Sequence, residues 1–225
     1  HPRLGHMLVV AGPKAAPLAA LLAERDPLRG APAEVTLRLA AVQNPQAYLA
    51  DHPHDLDRAT VERIRLEARR LATLVDPVAA RFDPAEMAAL AYPDRIGARR
   101  QGATTRYLLS GGKGAVVAGE DPLAQADLIV ATDLDGDPRE AKVRQGTAIS
   151  DAALRRLFAD RIIWEDICEW SRRDGRVVSR QQERLGALVL ADRPWPEASP
   201  EKQALAALDG LRQIGLPMTD SARRL

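Results

Sequence analysis

The sequence Arg106-Tyr107-Leu108-Leu109-Ser110-Gly111-Gly112-Lys113-Gly114-Ala115-Val116-Val117 joins two short apolar runs by a glycine-rich turn. Glycine supplies the backbone conformations that a tight turn requires. Apolar runs of this length on both sides of such a turn are typical of short β-strands. We therefore predict a β-hairpin, with one strand on each side of the glycines.

Other short apolar runs surround this hairpin, and glycines or acidic turns separate them. They lie at Ile96, 128–130 and 141–149. Four or five short strands at this spacing predict a small antiparallel barrel or a sandwich. A helix is predicted at 151–158. Further strand-like segments follow at 162–164, 176–178 and 185–190.

The first third of the chain has helical periodicity. Its clearest helix is predicted over residues 58–75, with Asp57 as the N-cap. Apolar side chains repeat there at steps of three and four, at Val61, Ile64, Ala68, Leu71 and Val75. We expect a small helical bundle over residues 1–80. Further helices are predicted at 84–90 and 200–214, and the second should end at Gly215.

Composition narrows the class of protein. The 225 residues are 46% hydrophobic and carry a net charge of +1, so a nucleic-acid surface would need local clustering of charge. Cys168 is the single cysteine, which excludes an intrachain disulfide and a four-thiolate zinc site. No apolar run approaches the roughly 20 residues of a membrane span. We expect a cytoplasmic protein without a membrane partner.

Basic residues concentrate between Pro93 and Val117, where Asp94 is the single acid. These residues are the candidate nucleic-acid-binding set: Arg95, Arg99, Arg100, Arg106 and Lys113. Such a stretch could follow a phosphate backbone. It could equally be a solvated strand edge, where basic residues discourage edge pairing. The acidic stretch 119–141 should point away from any bound strand.

The sequence contains no recognisable catalytic arrangement. The turn at 111–114 lacks the spacing of a phosphate-binding loop, since Tyr107 stands where that motif needs glycine and Gly114 where it needs serine or threonine. His52 and His54 are too few for a metal site. Residues 133–144 do not follow the calcium-loop pattern and predict an acidic turn. We expect no catalytic, cofactor-binding or metal-binding residue in this chain.

Several segments together resemble bacterial DEAH-box RNA helicases of the HrpB type, in the correct order along nearly the whole chain. The segments are HPRL (1–4), LLAERDPLR (21–29), ALAYPDRI (89–96), YLLSGGKGA (107–115), ATDLDG (131–136), RLGAL (184–188) and LPMTDSAR (216–223). The resemblance implies an α+β fold. A small ratchet-like helical bundle (1–82) would precede an OB-like antiparallel β-barrel with flanking helices (83–193). A linker and helix (194–225) would follow.

The resemblance also implies a function. The parent protein would be an ATP-dependent RNA helicase, with two RecA-like motor domains and a winged-helix domain before His1 and a further region after Leu225. ATP and magnesium would bind to the motor, so this fragment should have no cofactor and no ATPase activity. Its partners would be single-stranded RNA or DNA and the motor domains. A different hypothesis is a protein-docking module, in which the acidic stretch 119–141 and Trp195 matter more than the arginines.

Overall fold

The computed structural model describes residues 1–215, and its contacts divide the chain into two compact units. The first unit contains residues 1–159 and 186–188, and the second contains 160–185 with the described residues from Val189 onward. The predicted division into 1–82, 83–193 and 194–225 stays a prediction. The motif at 216–223 lies outside the described residues.

Helices form the N-terminal half of the first unit, as the periodicity predicted. They are α1 (Pro2–Ala11), α2 (Ala16–Ala23), α3 (Val35–Gln43), α4 (Pro45–Asp51), α5 (Arg58–Ala72) and α6 (Pro84–Ala91). Helix α5 begins after Asp57, whose carboxylate accepts the Thr60 N–H at 3.1 Å. Its stripe buries Val61, Ile64 and Ala68. The short strands β1 (Leu28–Arg29) and β2 (Asp55–Leu56) pair within this region.

The first apolar helical stretch differs from the sequence expectation. Residues Pro2–Ala23 form a helical run, broken by a 3-10 turn at Gly12–Ala15, that is long and apolar enough to span a membrane by length and composition alone. Of its apolar window, 56% is buried within the protein. A core helix has this degree of burial, so the stretch carries no argument for a membrane.

Five strands close into a barrel, which confirms the predicted α+β fold. They are β3 (Ile96–Arg99), β4 (Arg106–Leu109), β5 (Gly114–Val116), β6 (Leu128–Leu134) and β7 (Glu140–Ala148), in the order β3-β4-β5-β7-β6. The predicted hairpin is present as β4–β5. One pair, β5 with β7, runs parallel and not antiparallel as predicted. Strand β6 lies between β5 and β7 in the sequence but pairs with β3 on one side and with β7 on the other. The other edge of β7 is therefore next to β5, and the two strands run in the same direction.

Alternating side chains of the barrel strands fill its interior. Tyr107, Leu109, Ile129 and Val143 are all buried there. The Tyr107 hydroxyl donates to the Ala126 carbonyl oxygen at 2.8 Å. Burial raises the pKa of Tyr107, so the hydroxyl remains a neutral donor at physiological pH. Helix α7 (Asp151–Leu157) follows the barrel.

Three strands follow α7 and form a sheet that belongs mainly to the second unit; the segment predicted as one strand at 185–190 contains the turn at 186–187 between two of them. Its strands are β8 (Ile163–Ser171), β9 (Arg176–Leu185) and β10 (Leu188–Pro194), in the order β10-β9-β8. Helix α8 (Pro200–Ile214) packs on β8 and ends at Gly215, as predicted. Gly210 lies against the ring of Trp170, where an added Cβ would be 2.3 Å from the ring.

Candidate nucleic-acid interface

Three of the five predicted basic residues meet at one end of the β3–β4 pair. Arg99 ends β3 and Arg106 begins β4, and the Arg100 N–H donates to the Arg106 carbonyl oxygen at 2.8 Å. The loop 100–105 connects the two strands. The antiparallel pairing of the strands therefore brings together residues that are six or seven positions apart in sequence.

Arg99 is occupied by contacts within the barrel. One terminal nitrogen donates to the Thr104 carbonyl oxygen at 2.8 Å, and its Nε lies 3.3 Å from the Asp127 carboxylate. The guanidinium also lies over the buried Tyr107 ring, 5.9 Å from the centroid. With 21% of its side chain exposed, Arg99 contacts the end of the barrel and presents little surface to a ligand.

Arg100 and Arg106 lie on the outer surface. Because Tyr107 and Leu109 point into the barrel, Arg106 and Leu108 point outward. The Arg100 guanidinium lies over Gly114 of β5, where a Cβ would be 3.2 Å from one terminal nitrogen. Gly114 is itself buried, with the Arg100 guanidinium over it. Arg106 has 61% of its side chain exposed and lies 3.5 Å from Glu140.

Arg95 and Lys113 do not join this group. Arg95 precedes β3, four residues from Arg99, which is about 13 Å along an extended strand. It lies over the Tyr92 ring at 4.7 Å and donates to the Thr132 carbonyl oxygen at 3.2 Å. Lys113 is half-buried in the turn before β5. The predicted set therefore divides between the two ends of β3 and β4.

The acidic stretch is closer to the basic residues than predicted. Its residues Asp127 and Glu140 contact Arg99 and Arg106, because barrel closure brings β6 and β7 beside β3 and β5. The predicted acidic turn links β6 to β7. Within it, backbone N–H groups donate to Asp135 and Asp137 and lower the pKa of both carboxyls. Backbone hydrogen bonding gives these acids a local structural role.

Two other basic residues lie near Arg95, and no pattern in the sequence predicts that they do. Arg25 and Arg144 line one cleft with Arg95, although more than 100 residues separate the ends of this set. Among residues 1–215, no group of three or more histidine, cysteine, aspartate or glutamate side chains is arranged to hold a metal ion. Only spatial proximity, which no local motif encodes, reveals the grouping of Arg25 with Arg95 and Arg144.

The chain has recognisable similarity to known proteins. Residues 161–195, which contain β8–β10, match the family described as "ATP-dependent RNA helicase HrpB, connector region". The chain is 27% identical over 223 residues to the ATP-dependent RNA helicase HrpB of Escherichia coli (strain K12), covering 96% of this chain and 25% of that protein. It therefore spans about a quarter of the length of this relative.

Solved structures extend this similarity to the fold. A crystal structure of the E. coli DExH-box NTPase HrpB matches 99% of this chain and 27% of its own, with a TM-score of 0.65 and 25% identity. A crystal structure of the Escherichia coli DEAH/RHA helicase HrpB matches the same shares, with a TM-score of 0.62 and 22% identity. The match to the connector region and the likeness along nearly the whole chain make this chain similar to a C-terminal region of HrpB.

Proposed function

We propose that this chain is the accessory region of an ATP-dependent RNA helicase and guides single-stranded RNA or DNA beside the motor. One observation carries the proposal: exposed Arg100 and Arg106 lie together at the outer face of β4 and β5, where the Arg100 guanidinium covers Gly114 and Arg106 pairs with Val116. In five-stranded OB barrels, the face of the second and third strands and the loop between the first two bind oligonucleotides. Here β4, β5 and the loop 100–105 occupy those positions.

The chemistry of this face favours phosphates over bases. Its outward side chains on β4 and β5 are those of Arg106, Leu108 and Val116, so the described face presents no aromatic ring for base stacking. Arginine contacts to phosphate do not discriminate sequence, and their strength falls with salt because counterions are released. We expect weak, salt-sensitive and sequence-independent binding.

In this proposal the motor supplies the chemistry. ATP and magnesium bind to RecA-like domains of the parent protein, which are the second partner of this chain, in the cytoplasm. The chain alone then lacks ATPase activity. Its helical part (1–82), barrel (83–193) and C-terminal part (194–225) act beside the motor and not as an independent enzyme.

Charge reversal on the barrel face tests the proposal. The affinity of the 225-residue chain for a fluorescently labelled RNA single strand would be measured by anisotropy at low and moderate salt. Arg100→Glu with Arg106→Glu should weaken binding on the order of tenfold or more, because two phosphate contacts become repulsive. Arg69→Glu with Arg173→Glu is the matched control, with the same charge change elsewhere, and should bind more tightly than the barrel-face variant.

The Glu140→Gln variant tests the same face in the opposite direction. It removes the acid beside Arg106, so RNA affinity should rise by a few fold, the range of an exposed ion pair. Folded wild-type protein that does not bind RNA at low salt would contradict the proposal. Equal losses in the barrel-face and control variants would also contradict it, because they would show a response to net charge alone.

Protein docking is a second candidate function. The observation that favours it is the exposure of Ile163, Trp164 and Val189 in the second unit, at 53%, 47% and 41%. Exposed apolar side chains in one small unit are typical of contact surfaces. Trp195, the other residue of this hypothesis, is half-buried, and the Lys202 ammonium lies over its ring at 4.7 Å. RNA affinity that the barrel-face variant abolishes would favour the first function.

A further inference from the structure

A cleft of about 550 Å³ lies between the end of α2 and the barrel strands β6 and β7. Both walls belong to the first compact unit. Arg25 comes from the helical side, Arg95 from the segment before β3, and Arg144 from β7. The volume is within the range of small-ligand sites and is large enough for a nucleotide unit.

Two of the three carboxylates that line this cleft pair with arginines outside it, so the cleft keeps an excess of positive charge. Glu24, Asp26 and Asp133 line it together with the three arginines. Glu24 is bound to Arg63 at 3.1 Å, and Asp26 is bound to the buried Arg38 at 2.7 Å.

Asp26 also accepts the Leu28 N–H at 2.9 Å, and Glu24 accepts the Arg25 N–H at 3.2 Å. Both carboxylates therefore have their oxygens engaged by groups other than the cleft guanidinium groups. Of the lining acids, Asp133 alone then remains to balance the charges of Arg25, Arg95 and Arg144.

The three arginines retain donors for a ligand. A guanidinium has five N–H groups, and Arg95 uses one of them on the Thr132 carbonyl oxygen. Within the described residues 1–215, the guanidinium groups of Arg25 and Arg144 make no hydrogen bond or ion pair. Arginine donors of this kind match the oxygens of a phosphate.

A buried hydroxyl without a hydrogen-bond partner in residues 1–215 lies in the wall of the cleft. Thr132 is 4% exposed, and its Oγ1 has no hydrogen-bond partner within the described residues. Buried hydroxyls are normally satisfied, because an unmade hydrogen bond costs free energy. Tyr92 also lines the cleft, and the guanidinium groups of Arg3 and Arg95 lie 5.6 Å and 4.7 Å from its ring centroid.

We propose that this cleft is a second phosphate site, where Arg25, Arg95 and Arg144 hold the backbone of a nucleic-acid single strand. The nature of the ligand rests on the proposed function, whereas the site is separate from the Arg100 and Arg106 face. Arg95 then binds phosphate in the cleft and not on the face formed by Arg100 and Arg106, with which the sequence had grouped it. A strand bound to both sites would contact the two ends of the β3–β4 pair.

The salt dependence of binding tests this site. The full 225-residue chain would be titrated with a labelled RNA of about 16 nucleotides, the upper site size for one OB barrel, at several salt concentrations. Arg25→Ala with Arg144→Ala should lower the slope of log affinity against log salt by about 1.4, since each lost contact to a single strand removes about 0.7. Arg58→Ala with Arg69→Ala is the charge-matched control and should keep the wild-type slope. Thermal unfolding establishes that each variant is folded.

Each result has a separate meaning. If Arg25→Ala with Arg144→Ala keeps the wild-type slope while Arg100→Glu with Arg106→Glu loses binding, the cleft proposal is wrong and the barrel face stands. If folded wild type does not bind the RNA, both proposals are wrong. If adenosine monophosphate binds the wild type but not the cleft variant, and the RNA slope is unchanged, the cleft is a free-nucleotide site and the strand proposal is overturned.

Discussion

The barrel and the β8–β10 sheet are both antiparallel for most of their length, but they use their side chains differently. The barrel closes on itself and buries residues such as Tyr107 and Ile129 completely. Strand β8 contains no buried residue, and β9 buries only Leu185 at its end. Closure gives a small sheet an interior, whereas the open sheet depends on contacts between half-exposed side chains.

Polar and cation–π contacts replace a core on the open sheet. Gln181 donates to Asp166 at 2.8 Å and accepts from Arg193 at 3.0 Å, while Arg193 lies over Trp164 at 4.4 Å. Contacts of this kind contribute little each in water. The barrel should therefore resist unfolding through burial, whereas the sheet should tolerate single truncations.

Truncation of one aromatic residue in each region tests this contrast most strongly. Tyr107→Ala should lower the free energy of unfolding by about 3–5 kcal/mol, because it leaves a cavity in the barrel. Trp164→Ala should cost about 1 kcal/mol, the size of an exposed cation–π contact. Denaturant unfolding followed by circular dichroism measures both. Equal losses of stability in the two variants would show that burial does not distinguish the barrel from the open sheet.

Tryptophan fluorescence adds a probe of the second unit. Trp164, Trp170 and Trp195, all three tryptophans of the sequence, lie there. In Trp164→Ala the other two still report on the unit.

Two glycine-to-alanine substitutions form a matched pair, and their expected effects on stability are of intermediate size. Gly210→Ala should destabilise the second unit by about 1–3 kcal/mol, because the new Cβ would overlap the Trp170 ring. Gly5→Ala in α1 meets nothing within 4 Å and should stabilise by about 0.5–1 kcal/mol through helix propensity. Unfolding midpoints measure both changes. A stabilising Gly210→Ala would show that the α8 contact is loose.

The smallest effect concerns a charge contact within the first unit. Asp94 binds Arg3 through both carboxylate oxygens. Burial raises the pKa of Asp94. The hydrogen bond from Arg3 and the nearby positive charges lower it by more than burial raises it, so the net pKa is below its ordinary 3.8. A carboxyl with a lowered folded pKa stabilises fully above pH 3.8 and loses this contribution as the pH falls through the folded value.

Asp94→Asn should therefore cost less than about 1 kcal/mol at pH 7, since the pair is largely exposed. Its difference from wild type should shrink as the pH falls below 3.8. Thermal unfolding across pH 2–7 measures this, with Asp209→Asn on exposed α8 as the control. A difference that persists at pH 2 would exclude the charge contact as its cause.

Local features of the sequence were sufficient where neighbouring residues decide the structure. Asp57 and Gly215 mark helix ends correctly, since a cap depends on residues within one turn. The glycine turn at 111–114 predicts the β4–β5 hairpin for the same reason. The apolar stripe of α5 also identified Val61, Ile64 and Ala68 as buried.

Features that depend on residues far apart in the sequence could not be predicted from local sequence patterns. Arg95 and Arg99 are close in sequence, yet they lie at opposite ends of β3, and the cleft joins Arg95 to Arg25 and Arg144. The Arg106 contact with Glu140 also exists only because β5 and β7 pair in parallel. A basic run in sequence therefore overstated how many of its members share one surface.

The sequence by itself determined the helix ends, the hairpin and the family resemblance, because these reside in local spacing and in the order of motifs. Tertiary structure alone decided which strands close the barrel, which acids neutralise Arg99 and Arg106, and which arginines share a cleft. The physical reason is that caps and turns are satisfied within a few residues. Ion pairs and barrel closure require groups that only the folded chain brings within a few ångströms.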